Sequence, residues 1–175
     1  SHLSNELEVV VVGCEGLPVR GSGVGRGNPP AAYVHYQLLG FQDVFTSVSH
    51  GTCDPQFRHS MTFPLVTDDR ILRFLGRSRT RFRRNPDFVV SYDDDESEGL
   101  LGEARVDLSP LAEGMAVTSR ARVEDTTGRA VGFVTVTVRW CQPLRSEGDP
   151  GPHGLTAVEV EGLMERFSPE KDGQV

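Results

Sequence analysis

Short runs of alternating apolar and polar residues recur along the first 140 residues of this chain, and turn residues separate them. The clearest run covers residues 131–140, where threonine and arginine alternate with an apolar set made of Val134, Val136, Val138 and Trp140. A period of two is typical of a β-strand with one buried side. We therefore expect Trp140 to be buried on the same face as the three valines.

Seven further segments have the composition or the alternation of β-strands: 7–13, 31–39, 44–49, 57–63, 87–92, 101–107 and 117–123. Pro64 is expected to end the fourth of these, because proline lacks the N–H that a strand ladder needs. A helical pattern of about one turn occurs near residues 69–75. Eight short strands separated by turns predict an all-β fold, an eight-stranded antiparallel β-sandwich.

The composition changes after residue 142. Residues 143–175 are rich in proline, glycine, serine and charge, which predicts a linker followed by a poorly ordered tail. The predicted domain is therefore 5–142. The net charge of −7 argues against nucleic-acid binding, which relies on a basic field.

Three cysteines, Cys14, Cys53 and Cys141, lack zinc-like spacing and are odd in number. We therefore expect them to be reduced thiols in an intracellular protein. No apolar run has the length of a membrane span, and we expect no signal peptide before the domain. The glycine-rich stretch 21–27 has neither the Rossmann spacing nor a Gly-Lys-Ser/Thr ending, so we interpret it as an inter-strand loop.

An acidic loop, residues 93–98, follows the predicted strand 87–92. Asp93, Asp95 and Glu98 are oxygen donors of the kind that Ca²⁺ prefers. However, Ca²⁺ binds about six to eight oxygens, so a single acidic loop rarely suffices.

Several pieces of the chain resemble one family, and they occur in order from about residue 6 to residue 140. They include Ala32-Tyr33-Val34-His35-Tyr36, Gly40-Phe41-Gln42-Asp43, Asp54-Pro55-Gln56-Phe57, Tyr92-Asp93-Asp94, Leu101-Gly102 and Val136-Thr137-Val138-Arg139-Trp140. Together they are similar to the central C2 domain of the retinitis pigmentosa GTPase regulator-interacting proteins, the family that includes fantom. The segment 76–86 departs from the family pattern because it is longer.

The resemblance implies a C2-type sandwich that acts as a scaffold domain at the ciliary transition zone, with nephrocystin-type ciliary proteins as partners. A calcium-binding C2 domain takes carboxylates from two loops, with one of them just before the Tyr-Val strand. Residues 16–32 contain no Asp or Glu, so Asp93, Asp95 and Glu98 are at most a half-site, and we expect neither a metal nor another cofactor. The alternative interpretation of these residues is a solvated turn.

Five arginines, Arg77, Arg79, Arg81, Arg83 and Arg84, lie within eight residues. Clustered guanidiniums bind carboxylates or phosphates. Three interpretations stay open: a solvated surface, a site for an acidic protein partner, and a site for anionic lipid. Catalysis is not expected, since no histidine has a nucleophile, a metal-ligand spacing or a paired acid beside it. The predicted function is therefore a calcium-independent protein-interaction domain, with membrane docking through the arginines or Ca²⁺ as the alternative.

Overall fold

The computed structural model describes residues 4–19, 27–76, 87–93 and 99–144. These residues form the strands β1 Ser4–Glu15, β2 Ala32–Tyr36, β3 Val44–Phe45, β4 Gln56–Val66, β5 Asp87–Tyr92, β6 Leu100–Arg105, β7 Val117–Glu124 and β8 Ala130–Trp140. Helix α1 Asp69–Gly76 lies between β4 and β5, and a 3₁₀ helix, Ser109–Glu113, lies between β6 and β7.

The strands form one antiparallel sheet in the order β3-β2-β5-β6-β7-β8-β1-β4. The sheet curls, so that strands far apart in this order face each other. Tyr36 on β2 contacts Phe63 on β4, with ring centroids 6.3 Å apart, and lies 4.8 Å from the ring of Phe88 on β5. The predicted eight-stranded antiparallel β-sandwich is confirmed.

The core is built from alternate positions of the long strands. Val134, Val136 and Val138 on β8 are fully buried, and Trp140 on the same face is 7% exposed. The indole N–H of Trp140 donates a hydrogen bond of 2.8 Å to the carbonyl of Leu111 in the 3₁₀ helix. The expected burial of Trp140 beside the valines is confirmed, and its polar atom has a partner, as buried tryptophans usually require.

The expectation that Pro64 ends its strand was wrong. β4 continues to Val66, and Pro64 lies opposite Glu6 of β1. β4 ends the strand order of the described sheet, with β1 as its one neighbour. An edge strand tolerates proline because the missing N–H need not belong to the hydrogen-bonding ladder.

Helix α1 packs against the 3₁₀ helix. Leu75 is buried, and a methyl group at Gly76 would come within 3.7 Å of the Cβ of Ala112. The N-terminus is capped by Asp68, whose Oδ1 accepts a hydrogen bond of 2.9 Å from the N–H of Ile71. The sequence predicts about one turn here, and the helix has eight residues.

Candidate functional site

Three loops meet at the end of the sandwich where β5 stops. The N–H of Asp93 donates a hydrogen bond of 2.8 Å to the carbonyl of Ala31, immediately before β2. Ala32 exchanges two backbone hydrogen bonds with Ser49, of 2.9 and 2.8 Å. The structure therefore places the first residue of the acidic loop directly beside the chain that enters β2.

In the described part of this neighbourhood, the residue beside Asp93 adds no carboxylate for a cation. The side chain of Ala31 is a methyl group, so Asp93, which is exposed, meets no second carboxylate there. Within residues 4–19, 27–76, 87–93 and 99–144, no group of three or more His, Cys, Asp or Glu side chains is placed to hold a metal ion. Asp95 and Glu98 lie outside the described residues, so the predicted half-site stays a prediction.

The five arginines of the run 77–84 also lie outside the described residues. The structure shows only where the run is attached: α1 ends at Gly76, and β5 begins at Asp87. Asp87 pairs with Arg105 on β6, with 3.5 Å between Nε and Oδ1. The interpretation of the run as a partner or anion site stays a prediction.

The arginines of β6, β7 and β8 each pair with a carboxylate on another strand or at a nearby position of the same strand. The pairs are Arg105–Asp87 at 3.5 Å, Arg120–Glu15 at 3.1 Å, Arg122–Glu124 at 3.3 Å and Arg139–Glu8 at 2.7 Å. Arg120 hydrogen-bonds both oxygens of Glu15, which lowers the pKa of that carboxyl group, and it also lies 3.8 Å over the ring of Phe133. These guanidiniums do not form an unpaired basic face.

A group of three aromatic rings lies on the outward side of β2 and β3. Tyr33 and His35 alternate with buried residues on β2, and Phe45 on β3 lies opposite His35. The ring centroids of His35 and Phe45 are 5.2 Å apart in a stacked arrangement, and Tyr33 lies 6.0 Å from His35. Phe45 is 54% exposed. We call Tyr33, His35 and Phe45 the aromatic patch.

The same outward side continues across the sheet towards negative charge. His35 lies opposite Val89 on β5, Val89 opposite Glu103 on β6, and Glu103 opposite Glu124 on β7. Beyond Glu103, β6 and β7 diverge around a groove of about 610 Å³. Its charged lining residues, which define the acidic groove, are Asp87, Glu103, Arg105, Arg122, Glu124 and Asp125.

Burial lowers the pKa of His35 from its ordinary value, although the charges of Asp43 and Glu103 oppose this effect. The imidazole is therefore neutral near pH 7. A neutral imidazole stacked on Phe45 makes the aromatic patch an apolar surface with polar atoms at its margins.

Sequence reasoning missed this patch, although part of its signal is visible. The alternation of Tyr33, Val34 and His35 predicts that Tyr33 and His35 share a face. The partner ring of Phe45 depends on the pairing of β2 with β3. That register could not be derived from the alternation alone.

Two potentially reactive side chains of the described part, Cys14 and Tyr36, are poorly placed for chemistry. Cys14 is fully buried, and burial raises the pKa of its thiol to about 12. Burial also raises the pKa of the Tyr36 phenol. Neither group is a nucleophile at neutral pH, because the thiolate or phenolate form is required for attack.

Comparison with known proteins decides the family. The model of the C2 domain family matches residues 5–123. This chain belongs to the C2 domain family. The matched range contains the three loops that meet at Asp93, and β2, β3, β5 and β6 with the aromatic patch.

Among curated relatives, the X-linked retinitis pigmentosa GTPase regulator-interacting protein 1 of Bos taurus is 30% identical over 172 residues, which covers 96% of this chain. The protein of the same name from Mus musculus is 29% identical over 136 residues, or 78% of this chain. The resemblance to this family of interacting proteins is confirmed. The chain spans 13% of the bovine protein and 10% of the mouse protein.

Solved structures share the fold at lower sequence identity. The structure described as "CC2D1B coordinates ESRCT-III activity during the mitotic reformation of the nuclear envelope" gives a TM-score of 0.62 at 22% identity, over 79% of this chain and 56% of that chain. A calcium-bound pair of C2 domains from Extended-Synaptotagmin 2 gives 0.58 at 10% identity, over 94% of this chain and 52% of that chain. In the residues that the structure describes, no helix is both long and apolar enough to cross a membrane.

Proposed function

We propose that this C2 domain is a calcium-independent protein-interaction domain of a scaffold protein at the ciliary transition zone. The observation that carries the proposal is the contact between Asp93 and Ala31, with 2.8 Å between the backbone N of Asp93 and the carbonyl O of Ala31. Where a two-loop calcium site requires a second carboxylate, the chain has a methyl group. Residues 16–32 contain no Asp or Glu that would supply this second carboxylate.

The likeness to the retinitis pigmentosa GTPase regulator-interacting proteins supports the cellular setting. A protein named for the regulator it interacts with is itself an interaction protein, and we extend that role to this domain. The partners we expect are nephrocystin-type ciliary scaffold proteins, and the place is the base of the cilium or its transition zone. The domain needs no cofactor and carries out no catalysis in this function.

Membrane docking is the second candidate, and the five arginines between Arg77 and Arg84 are the observation that favours it. Several basic residues near an anionic surface contribute about 1 kcal/mol each. Against this candidate, the arginines of β6, β7 and β8 are each paired with a carboxylate. Membrane contact is therefore weak or absent in the proposed function, and nucleic acid is not a partner because the chain is acidic.

The test compares protein capture with vesicle binding. The domain is used as bait in extracts of ciliated cells, with either Ca²⁺ or EDTA present, and captured proteins are identified by mass spectrometry. In parallel, the domain is sedimented with vesicles that contain phosphatidylserine or phosphoinositides at physiological salt. We expect the same ciliary proteins under both metal conditions and no sedimentation with vesicles.

Two variants assign the outcome to a surface. Asp93→Asn removes the described carboxylate of the acidic loop, and the change of Arg79, Arg81 and Arg83 to Glu reverses the charge of the arginine run. Capture that survives Asp93→Asn supports calcium independence. Sedimentation that disappears in the triple variant would replace the scaffold function with lipid docking through the arginines. The assay uses physiological salt because binding through arginines weakens as salt screens them.

A further inference from the structure

The aromatic patch is partly exposed although it is built from large rings, since Tyr33 and His35 are half-buried and Phe45 is exposed. Phe45 is 54% exposed and stacks on His35, while the other side of both strands faces the core with Val34, Tyr36 and Val44. The patch therefore lies outside the core. Exposed aromatic rings grouped on one side of a sheet are typical of surfaces that bind a protein.

The charges around the patch are negative. On the outward positions of β2 and β3, Tyr33 and Phe45 supply no positive charge, and the negative charges of Asp43 and Glu103 act on His35, where they oppose the lowering of its pKa by burial. In the acidic groove, four carboxylates face two guanidiniums. Those guanidiniums belong to Arg105 and Arg122, which already pair with Asp87 and Glu124. Glu103 has no ion pair within the described part of the chain.

We propose that the aromatic patch and the acidic groove together bind one extended segment of the protein partner, with an apolar side chain on the patch and an arginine or lysine at Glu103. This inference rests on the proposed function and names the chemistry of the partner. A cation at Glu103 forms a charge-assisted hydrogen bond, which is stronger than a neutral one. An anionic lipid headgroup would instead meet Asp43 and Glu103 with like charge.

The strand order gives the spacing between the apolar and the basic side chain of the partner segment. From Phe45 on β3 to Glu103 on β6 there are three strand intervals of about 4.8 Å, or about 14 Å in all. An extended segment that crosses the strands advances about 3.3 Å per residue, so its two anchors are about four positions apart. An even spacing keeps both side chains on the same side of an extended segment.

The probe is a short fluorescent peptide of serine and threonine that carries one leucine and, about four positions away, one arginine. A matched peptide has the arginine moved by one position, which turns it to the opposite side. Binding is followed by fluorescence anisotropy and by amide chemical shifts of the labelled domain. We expect shifts at Tyr33, His35, Phe45 and Glu103 with the first peptide and weaker binding of the second.

In the double variant Phe45→Ala, Glu103→Gln, the first change removes a contact for the leucine of the peptide and the second removes the contact for its arginine. The control variant is Met115→Ala, Glu113→Gln, which removes an apolar side chain of similar exposure, 52%, and an exposed carboxylate away from both strands. We expect the first double variant to weaken peptide binding by about tenfold or more, which corresponds to one lost contact of a charged group. The control is expected to bind like the parent protein.

This inference would be overturned if the two double variants bound the peptide equally. It would also be overturned if the chemical-shift changes were confined to another surface, or if none occurred at a high peptide concentration. A stronger response to a peptide with glutamate in place of arginine would also overturn it. None of these results changes the capture in EDTA or the vesicle sedimentation, so the proposed function would stand. Sedimentation of the domain with phosphatidylserine vesicles would overturn the proposed function itself.

Discussion

At the scale of single residues, Trp140 shows how one side chain connects two parts of the fold. Its ring continues the buried valine face of β8, and its N–H reaches the Leu111 carbonyl in the 3₁₀ helix that joins β6 to β7. A large ring with a satisfied polar atom contributes both apolar burial and a hydrogen bond. Truncation removes both contributions at once.

Trp140→Ala is expected to lower the free energy of unfolding by about 3–5 kcal/mol, because it removes a buried ring and leaves a cavity. Urea unfolding followed by circular dichroism measures the change, since Trp140 is the chain's only tryptophan and its fluorescence is lost. Met115→Ala is the control, because Met115 is 52% exposed. A midpoint for Trp140→Ala that matches the control would show that the ring contributes little to stability.

His35 provides a prediction about pH. Because burial lowers its pKa below 6.5, the unfolded chain binds a proton more readily than the folded protein. The associated stability is fully present above the unfolded pKa and is lost as the pH falls through the lower folded pKa. Phe45→Ala exposes the imidazole and should raise the pKa of His35 towards 6.5. The titration of the His35 ring protons by NMR measures this shift, and an unchanged pKa in the variant would exclude Phe45 as the source of burial.

At the scale of elements, the contact between β6 and β7 holds the two halves of the sheet together. Among the described residues, the register between these strands consists of the pair Glu103 and Glu124. Gly102 lies beside this pair, and a methyl group built on it would be 2.7 Å from the Glu124 carbonyl and 2.8 Å from the nearest side-chain carbon of Val123. The close approach of the strands requires glycine here.

Gly102→Ala is therefore expected to destabilise the domain by about 1–3 kcal/mol, because the backbone must shift to relieve the overlap. Gly40→Ala is the matched control, since a methyl group there has no atom within 4 Å, and its cost should be near zero. Chemical unfolding of both variants gives the comparison. A Gly102→Ala protein as stable as the control would mean that β6 and β7 separate without cost.

At the scale of the whole molecule, calcium is the condition that separates the candidate functions. A ligand present at a hundred times its Kd stabilises the native state by about 2.7 kcal/mol. Because Ala31 stands beside Asp93, we expect melting temperatures in millimolar Ca²⁺ and in EDTA to agree within about one degree. A rise of several degrees in Ca²⁺ that is lost in Asp93→Asn would establish a calcium site.

The sequence predicted the strands better than it predicted the surfaces. Strand β5 has the predicted bounds, and the buried face of β8 is the one that the alternation indicates. Alternation is a local property, so it assigns faces without knowledge of neighbouring strands. Pro64 was misjudged because its effect depends on whether the strand lies at an edge, and the sequence does not contain that information by itself. The predicted domain limits of 5 and 142, and the tail beyond them, stay predictions.

What the sequence by itself determined is the strand pattern, the C2 resemblance, and the lack of acids in residues 16–32. Only the tertiary structure decided which surfaces exist. The pair of Arg139 and Glu8 joins residues 131 positions apart, and the aromatic patch requires β2 and β3 to pair with His35 opposite Phe45. Such contacts depend on strand register, and register is set by how the whole core packs rather than by the residues that meet at the surface.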